Sequence, residues 1–545
     1  MIYTESVTRF SIFRNFNVKK ILFFTLYDNI CLGTRILSSI ARNHGIETHL
    51  VIFKDQRTRA ILRDSKDSLS YQFYFDGIKY GSCYAAYKSS DREIGHFVEL
   101  VNQIRPDVIC LSTRSFGYAL SKKIIGCLKP RFDIPVIAGG WGPTLEPDKF
   151  LEFCDYVCFG EGEIPIAQIS SKLNHGDNDF SDVENLIYRQ NGTLTQNPIA
   201  KPLHNTDLNQ LPFADFDLAN KYLIDSNKIY RGGQSVNTKI YNCLAGRGCP
   251  LSCSYCMSSK YRGLYKGQGY KIAKYRIRDV EVVIEELKIT KANGALYIRI
   301  SDEIFPIWKD WIDRFIDLYR REIDLPFFAY IRPEFHDDEV TRRLVEIGMT
   351  SSVVAIQAGS EYIRKKIFKR MLPKKKIMEF AKTLNAHNIE YTYHLINHNP
   401  FESESDMIET LQLLYRLPFA PLVLFRLVPF EGTPIKRMIQ AAQPEMLPVN
   451  LQKWYGYLYA MAVKSSLYRA ISRFIYKKGW FRNNAVVLTA IFGPAFIKLH
   501  IDRFIKKLKY GSATLLPIPT SRKNKLPGNQ VKQPEATVHT AEEAN

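Results

Sequence analysis

Long apolar runs are missing from this 545-residue chain. A bilayer-spanning helix needs about 20 consecutive apolar residues, and the best candidate, 485–497, is broken at Gly493-Pro494. The N-terminus also lacks the uninterrupted apolar stretch of a secretory signal, so a cytoplasmic chain is expected. Cysteine is sparse and scattered. The ten residues, at positions 31, 83, 110, 127, 154, 158, 243, 249, 253 and 256, are too few for a disulfide framework at this length. Acidic residues are nearly absent from one segment. Between 451 and 510, twelve Lys and Arg stand against the single acid Asp502, a local +11 within a total of 75 − 55 = +20. What is present is ordinary for a globular protein: 46% hydrophobic and 24% charged residues exclude wholesale disorder, and the length calls for two or three domains.

Up to about residue 175, strand-like runs at 21–26, 48–53, 107–111, 134–138 and 155–159 alternate with helical patterns at 34–43 and 118–128. Such alternation predicts an open parallel sheet, whose ligands bind outside the carboxyl ends of the strands. Three loops rich in glycine and hydroxyls fall there. They contain Ser112, then Gly139 and Gly140, then Gly160 and Glu161, and their coincidence argues for a large ligand close to the backbone. A polar stretch to about 234 reads as a linker. Six further strand signals, at 239–244, 295–300, 326–331, 351–357, 389–396 and 421–427, predict an incomplete β/α barrel with its active face at the strand C-termini. Beyond Pro434 the pattern is helical and basic, and from 511 the composition is that of a disordered tail.

Directly after the first strand of this second block lie Cys249, Cys253 and Cys256, spaced C-x₃-C-x₂-C. Three thiolates on one tight loop are the way iron–sulfur clusters are held. Three ligands on a four-iron cluster leave one iron open, which a catalytic site needs and a structural site avoids. Cys243 lies on the preceding strand and is not taken as a ligand. A structural zinc site would need another Cys or His at short spacing, and none follows within twenty residues.

The loop, with the aromatic Tyr255 before its third cysteine, resembles the signature of the radical S-adenosylmethionine (radical SAM) superfamily. Asp302 and Glu303 resemble the "D-E-x-F" end of that family's second strand. Arg332 resembles its "R-x-[DE]" ending, and Gln357 and Gly359 its "G-x-[EQ]-S-G-S". The stretch 426–434 resembles the closing "P-x-x-G-T-P". Two departures stand out: Ala358 where Ser is usual, and His398 to Ser403 in place of "G-x-P-G-E-T". The N-terminal block is similar to the cobalamin-binding domain that precedes many such enzymes. It lacks the D-x-H-x-x-G histidine, because the corresponding loop contains Asp28 and Gly33 but no His. His44 is expected to cap a helix and not to ligate cobalt.

The resemblance implies an α/β chain in five parts. These are a doubly wound Rossmann-like cobalamin-type domain (1–175), a linker (176–234), a partial (β/α)6 radical SAM barrel (235–435), a basic helical region (436–510) and a disordered tail (511–545). It implies a [4Fe–4S] cluster on Cys249, Cys253 and Cys256, with S-adenosylmethionine near Tyr255, Asp302, Glu303, Arg332, Gln357 and Gly359. Cobalamin is implied near Ser112, Gly139, Gly140, Gly160 and Glu161. The implied reaction is methylation of an unactivated carbon of a small-molecule or lipid-like substrate, with electrons from a flavodoxin- or ferredoxin-type reductant. Radical cyclisation, ring contraction or oxidation, and a non-catalytic cobalamin or iron–sulfur sensor, remain open beside it. For the basic segment, two stretches pair an apolar stripe with a basic one: Leu467, Ile471, Phe474 and Ile475, then Ile497 to Leu508. That is the pattern of a helix lying on an anionic membrane, which would place the protein peripherally at the inner membrane face. The alternatives are a cap on the barrel and, less favoured for want of a recognisable module, nucleic-acid binding.

Overall fold

The computed structural model describes residues 18–54, 89–232 and 239–479, together with two short backbone strands at 73–75 and 78–80. The first eleven strands in chain order are β1 (Lys20–Leu26), β2 (Glu47–Phe53), β3 (Phe73–Phe75), β4 (Ile78–Tyr80), β5 (Val108–Ser112), β6 (Val136–Gly139), β7 (Tyr156–Cys158), β8 (Leu186–Gln190), β9 (Thr193–Gln196), β10 (Lys221–Asp225) and β11 (Lys228–Arg231). Nine of them form one sheet, ordered β11-β10-β2-β1-β5-β6-β7-β8-β9. The middle of this sheet, from β10 to β7, is parallel. Its central strand β1 is buried almost throughout, as expected for a strand covered on both faces. Phe24 and Leu22 pack under the helices Asp91–Ile104 and Tyr118–Leu128, whereas Phe23 and Ile21 pack under Leu32–Asn43 and Glu163–Asn174. The order reverses between β1 and β5, so a switch-point crevice opens at their carboxyl ends.

The expected linker is corrected here. Residues 186–231 supply β8 to β11, which close both edges of the nine-stranded sheet. Their outer strands are short, antiparallel and half exposed, so they carry little of the apolar signal that a buried parallel strand shows.

The second sheet comes from β12 (Ile240–Cys243), β15 (Tyr297–Ile300), β16 (Phe327–Ala329), β17 (Met349–Gln357), β18 (Glu390–Asn397) and β19 (Leu422–Arg426), parallel and in that order. The remaining pair, β13 (Gly246–Gly248) and β14 (Tyr275–Ile277), makes a separate antiparallel ribbon beside the cysteine loop. All six expected barrel strands are present. A feature without a sequence signal is the β3–β4 hairpin, which leaves the N-terminal half and adds β4 to the free edge of β19. Along β18, Tyr391, Tyr393 and Leu395 are buried under the outer helices while Thr392, His394 and Ile396 face inward and are half-buried.

Downstream, the helices Val449–Ala462 and Ser466–Lys478 pack on the barrel. Ile475 is fully buried and Ile471 partly so, whereas Leu467 and Phe474 are exposed. The basic stripe is corrected too. Arg469 donates to the carbonyls of Ala462 and Leu417, and Arg473 sits over the Tyr415 ring. This first stretch is a barrel cap; the second, 497–508, lies outside the described residues. Ile475→Ala is expected to destabilise the barrel by about 2–4 kcal/mol, and Leu467→Ala by less than about 0.5 kcal/mol. Urea unfolding checks both, and equal small losses would contradict the cap.

Candidate active site between the two sheets

The carboxyl ends of β5, β6 and β7 face the cysteine loop of the barrel across a cavity of about 370 Å³. Ser112, Gly139, Gly140, Gly160 and Glu161 line one wall; Arg247, Gly248, Ser258, Tyr261, Arg262 and Glu303 line the other. The cavity then runs down between the sheet and two helices, past Ile36, Leu37, Ile166 and Ile169. This inner arm is apolar. Gly33, in the first turn of Leu32–Asn43, lines it, and a methyl group there would meet no protein atom within 4 Å.

The glycines have different causes. Gly140 has φ +93°, and a Cβ on it would lie 2.8 Å from the Thr113 carbonyl oxygen. It is glycine because two rim loops cross there, so the expected ligand contact does not explain it. Gly160, at φ +84°, faces the Tyr265 hydroxyl. Gly139 has only ordinary contacts and opens to the cavity.

The Glu161 side chain is engaged by protein partners. Its carboxylate accepts from Arg276 at 2.7 and 3.0 Å and from Arg247 at 3.3 Å, while Arg247 also bonds Glu163 at 2.6 Å. Burial opposes its charge, but the arginines, Arg276 foremost, hold the carboxyl below its ordinary range. Its backbone N–H donates to the Tyr265 hydroxyl, which Tyr261 also reaches at 3.2 Å. Both tyrosines stand on Met257–Gly267, the helix that follows the cysteines. None of these four partners carried a recognisable sequence signal, although Arg247 and Tyr261 flank the triplet.

The cysteine loop is held from several sides. Asp302 is fully buried and accepts from the backbone N–H groups of Ala245, at 2.9 Å, and Gly246. Burial pushes its carboxyl up to about 7 despite those donors. Asp302 therefore anchors the start of the loop. Ser254 bonds the carbonyls of Phe368's turn, donating its N–H to Phe368 and its hydroxyl to Ile367. Arg262 donates to the carbonyls of Cys249 and Leu251. Tyr255 packs edge-on against Phe368 at 4.8 Å, so it is a packing residue of the loop. At Gly359 a Cβ would lie 2.4 Å from Thr410, so its bareness serves packing against Glu404–Leu414.

Burial raises the Cys249 thiol to about 11 and raises that of Cys256 too. Bound iron would supply the positive charge that reverses this. No three His, Cys, Asp or Glu side chains among the described residues converge on one point, as a single zinc ion requires. A cubane takes each thiolate on a different iron and asks for wider spacing. Cys243 is fully buried with its Sγ 3.6 Å from Glu286, apart from the loop. His44 caps the far end of Leu32–Asn43, about one 18 Å helix length from the cavity rim.

Around the barrel mouth, several buried polar atoms have no hydrogen-bond partner: Arg332 Nε, Gln357 Oε1, His398 Nδ1 and Asn399 Nδ2. Gln357 and His398 also take left-handed φ values, +68° and +55°, at the ends of adjacent strands. Glu303 is exposed beside them, and its carbonyl accepts from Arg332 at 3.3 Å. Strain and unmet hydrogen bonds together leave Arg332 and Gln357 with polar atoms that a ligand could meet, with Glu303 beside them.

Residues 244–414 match the radical SAM superfamily and residues 87–170 the B12 binding domain. An uncharacterized methyltransferase of Pyrococcus horikoshii is 22% identical over 395 residues, covering 71% of this chain and 81% of its own. The cytidylyl-2-hydroxyethylphosphonate methyltransferase of Streptomyces wedmorensis is 22% identical, covering 65% and 67%. The radical S-adenosylmethionine methyltransferase TsrM from Kitasatospora setae, solved with cobalamin and a [4Fe–4S] cluster, superposes with a TM-score of 0.56 at 14% identity, over 78% of this chain and 75% of that one. That likeness is one of fold, as is the one to the cobalamin-dependent radical enzyme OxsB (TM-score 0.56, 14% identity, 81% and 66%). The chain thus carries a radical SAM domain and a B12-binding domain together, in the fold of the cobalamin-dependent radical SAM enzymes.

Proposed function

We propose that this enzyme is a cobalamin-dependent methyltransferase acting on a small-molecule or lipid-like substrate. The observation that carries the reading is the single cavity shared by the rim of the nine-stranded sheet and the cysteine loop. Methyl transfer needs the methyl donor and the hydrogen-abstracting centre to face one substrate position, and a shared cavity provides that. The names of the similar Pyrococcus and Streptomyces proteins support the same reaction class. A cluster here would supply one-electron reduction of S-adenosylmethionine, with a flavodoxin- or ferredoxin-type partner as electron source, and the corrinoid a methyl group.

This chain's residues divide the remaining work. Cys249, Cys253 and Cys256 would hold the cluster, and Asp302, Ser254 and Arg262 keep their loop in place. Glu303, Arg332 and Gln357 offer the charges and hydrogen bonds for the amino, carboxylate and ribose groups of S-adenosylmethionine. Ser112 and Gly139 would face a bound corrin, and the apolar arm past Gly33 would take its heterocyclic tail. No histidine among the described residues lines this cavity, so the protein would offer a bound cobalamin no imidazole there. The clamp of Glu161 with Arg247 and Arg276 keeps the two walls together and water out.

Anaerobically reconstituted protein is expected to hold about four irons and to cleave S-adenosylmethionine. Cys249→Ala, Cys253→Ala and Cys256→Ala should each abolish cleavage, and Cys243→Ala should retain it; full cleavage by any of the three triplet variants refutes the cluster assignment. Gly33→Leu should weaken hydroxocobalamin binding by about tenfold or more while cleavage persists, since it fills the apolar arm without backbone strain. The bound cobalamin should lack a nitrogen ligand from the protein, and His44→Ala should leave its absorption spectrum unchanged. For the membrane, full-length protein should pellet with phosphatidylglycerol vesicles in a salt-sensitive way. Changing Arg503, Lys506, Lys507 and Lys509 to Gln should reduce that pelleting; equal pelleting on neutral vesicles leaves only the barrel cap.

A further inference from the structure

The inward face of the barrel forms a layer distinct from the core beneath the outer helices. Tyr297, Phe328, Val353 and Ala355 cluster there, with Ile240 and Tyr330 partly buried against them. Arg299 belongs to this face: its strand neighbours Ile298 and Ile300 point into the outer core, and it pairs in register with Asn242 on one side and Phe328 on the other. Its guanidinium lies over the Phe328 ring, 4.6 Å from the centroid, and donates to the Tyr330 hydroxyl at a long 3.4 Å. Tyr330 follows β16, so the cation is directed toward the mouth. No carboxylate pairs with Arg299 among the described residues. The inward positions of β12 and β15 to β19 are otherwise neutral or weakly basic, Asn242, Ser301, Thr392 and His394 among them. Glu390 is their one acid, exposed at the opposite, N-terminal end of β18.

Buried Arg35 and Arg364 also lack a carboxylate, but backbone carbonyls accept from their N–H groups. Among the described residues the Arg299 guanidinium donates only to the Tyr330 hydroxyl, which leaves most of its donors for a ligand. An aromatic face beneath it supports the cation without neutralising it. The planar fork leaves its outer edge open to a carboxylate or phosphate, the partners whose geometry it matches. The inward face is also only partly covered: Thr392, His394 and Ile396 on β18 and Val423 and Phe425 on β19 are all half-buried, where a filled barrel would bury them.

We propose that the substrate carries an anionic group, a carboxylate or a phosphate, which Arg299 binds inside the barrel with the Tyr330 hydroxyl beside it. This rests on reading the barrel as the radical-generating half, and it gives that reading a substrate class. Arg299 anchors the remote end of the substrate and leaves the carbon to be attacked near the mouth, where the cysteine loop and the corrin side meet. Arg332, at the rim, is kept for the cosubstrate.

The test is calorimetric titration of the reconstituted protein with inorganic phosphate and, separately, with benzoate. S-adenosylmethionine is kept saturating so that the rim cation is occupied. Saturable binding of at least one anion is expected, weakened about tenfold or more in Arg299→Gln and partly retained in Arg299→Lys. The anion that binds more tightly separates a phosphate-bearing from a carboxylate-bearing substrate. No saturable binding of either anion, or equal binding by the Gln variant, overturns the proposal. Iron content and reductive cleavage of S-adenosylmethionine should be unchanged in both variants, since Arg299 touches neither the loop nor the cosubstrate residues. If Arg299→Gln loses its cluster, the Lys variant decides, and wild-type affinity without dependence on the Arg geometry counts against the site. Failure of the wild-type protein to cleave S-adenosylmethionine would fall on the radical reading alone, because anion binding is measured without turnover.

Discussion

Glu161 accepts hydrogen bonds from Arg276 and Arg247 at the seam between the two sheets, and the placement of both candidate cofactor walls depends on that buried cluster. Its arms reach in opposite directions. On one side the Glu161 backbone continues the β7 rim; on the other Arg247 lies two residues before Cys249 and Arg276 lies on the paired strand β14. A carboxylate this buried stabilises only while fully paired, and losing a partner strands a charge at about 3–5 kcal/mol. Bidentate geometry on Arg276, a second arginine and Glu163 as counterweight make the arrangement self-consistent. The seam is therefore a fixed joint that sets the separation of the two walls.

The same joint explains why the loop carrying the cysteines is rigid in advance. Asp302 ties its start to β15, Ser254 ties its middle to the turn after β17, and Arg262 folds back from the following helix onto its carbonyls. Each contact uses backbone groups, so the loop's path does not depend on the thiols. A ligand set prepared in this way spends little ordering entropy when iron binds.

The parts of the fold that the sequence announced are those with a strong apolar period. All eleven strands expected for the two blocks are found because buried parallel strands read as continuous apolar runs. The cysteine triplet was legible because its spacing has few other uses. Strands β8, β9 and β11 were not, since antiparallel edge strands with exposed positions look like polar linker. Strand β10 is buried and parallel to β2 but only five residues long and bounded by Lys221 and Asp225, and the β3–β4 hairpin crosses to the other sheet without any local sign. Asp302 and Glu161 stand out in the sequence as motif carboxylates, and the fold adds their protein partners, the Ala245 and Gly246 amides and the Arg247 and Arg276 guanidinia. A carboxylate in a motif looks the same whether it meets a ligand or a backbone amide, and only the fold tells which. Gly140 and Gly359 repeat the lesson for glycine: both are demanded by neighbouring protein atoms and not by a cofactor.

The unmet hydrogen bonds are distributed unevenly, and that distribution carries chemical meaning. Away from the barrel mouth several buried charges are paired, Lys221 with Asp215 at 2.7 Å, Lys54 with Glu93 and Arg278 with Glu286 at 2.5 Å, while buried Arg35 and Arg364 are met by backbone carbonyls. At the mouth, Arg332, Gln357, His398 and Asn399 keep orphaned atoms, and two of these residues hold left-handed backbone conformations that neither glycine nor asparagine relieves. Each orphan costs on the order of 1–3 kcal/mol, a burden that the well-packed cores on either side of the sheet and around the barrel can carry. Where the departure from the familiar loop puts His398, burial together with the nearby Arg426 lowers its imidazole to about 4. The ring is therefore neutral near neutral pH, and a neutral imidazole can accept as well as donate. The strained rim is thus prepared for a ligand that brings both donors and acceptors, and the energy withheld from folding there is returned when that ligand binds.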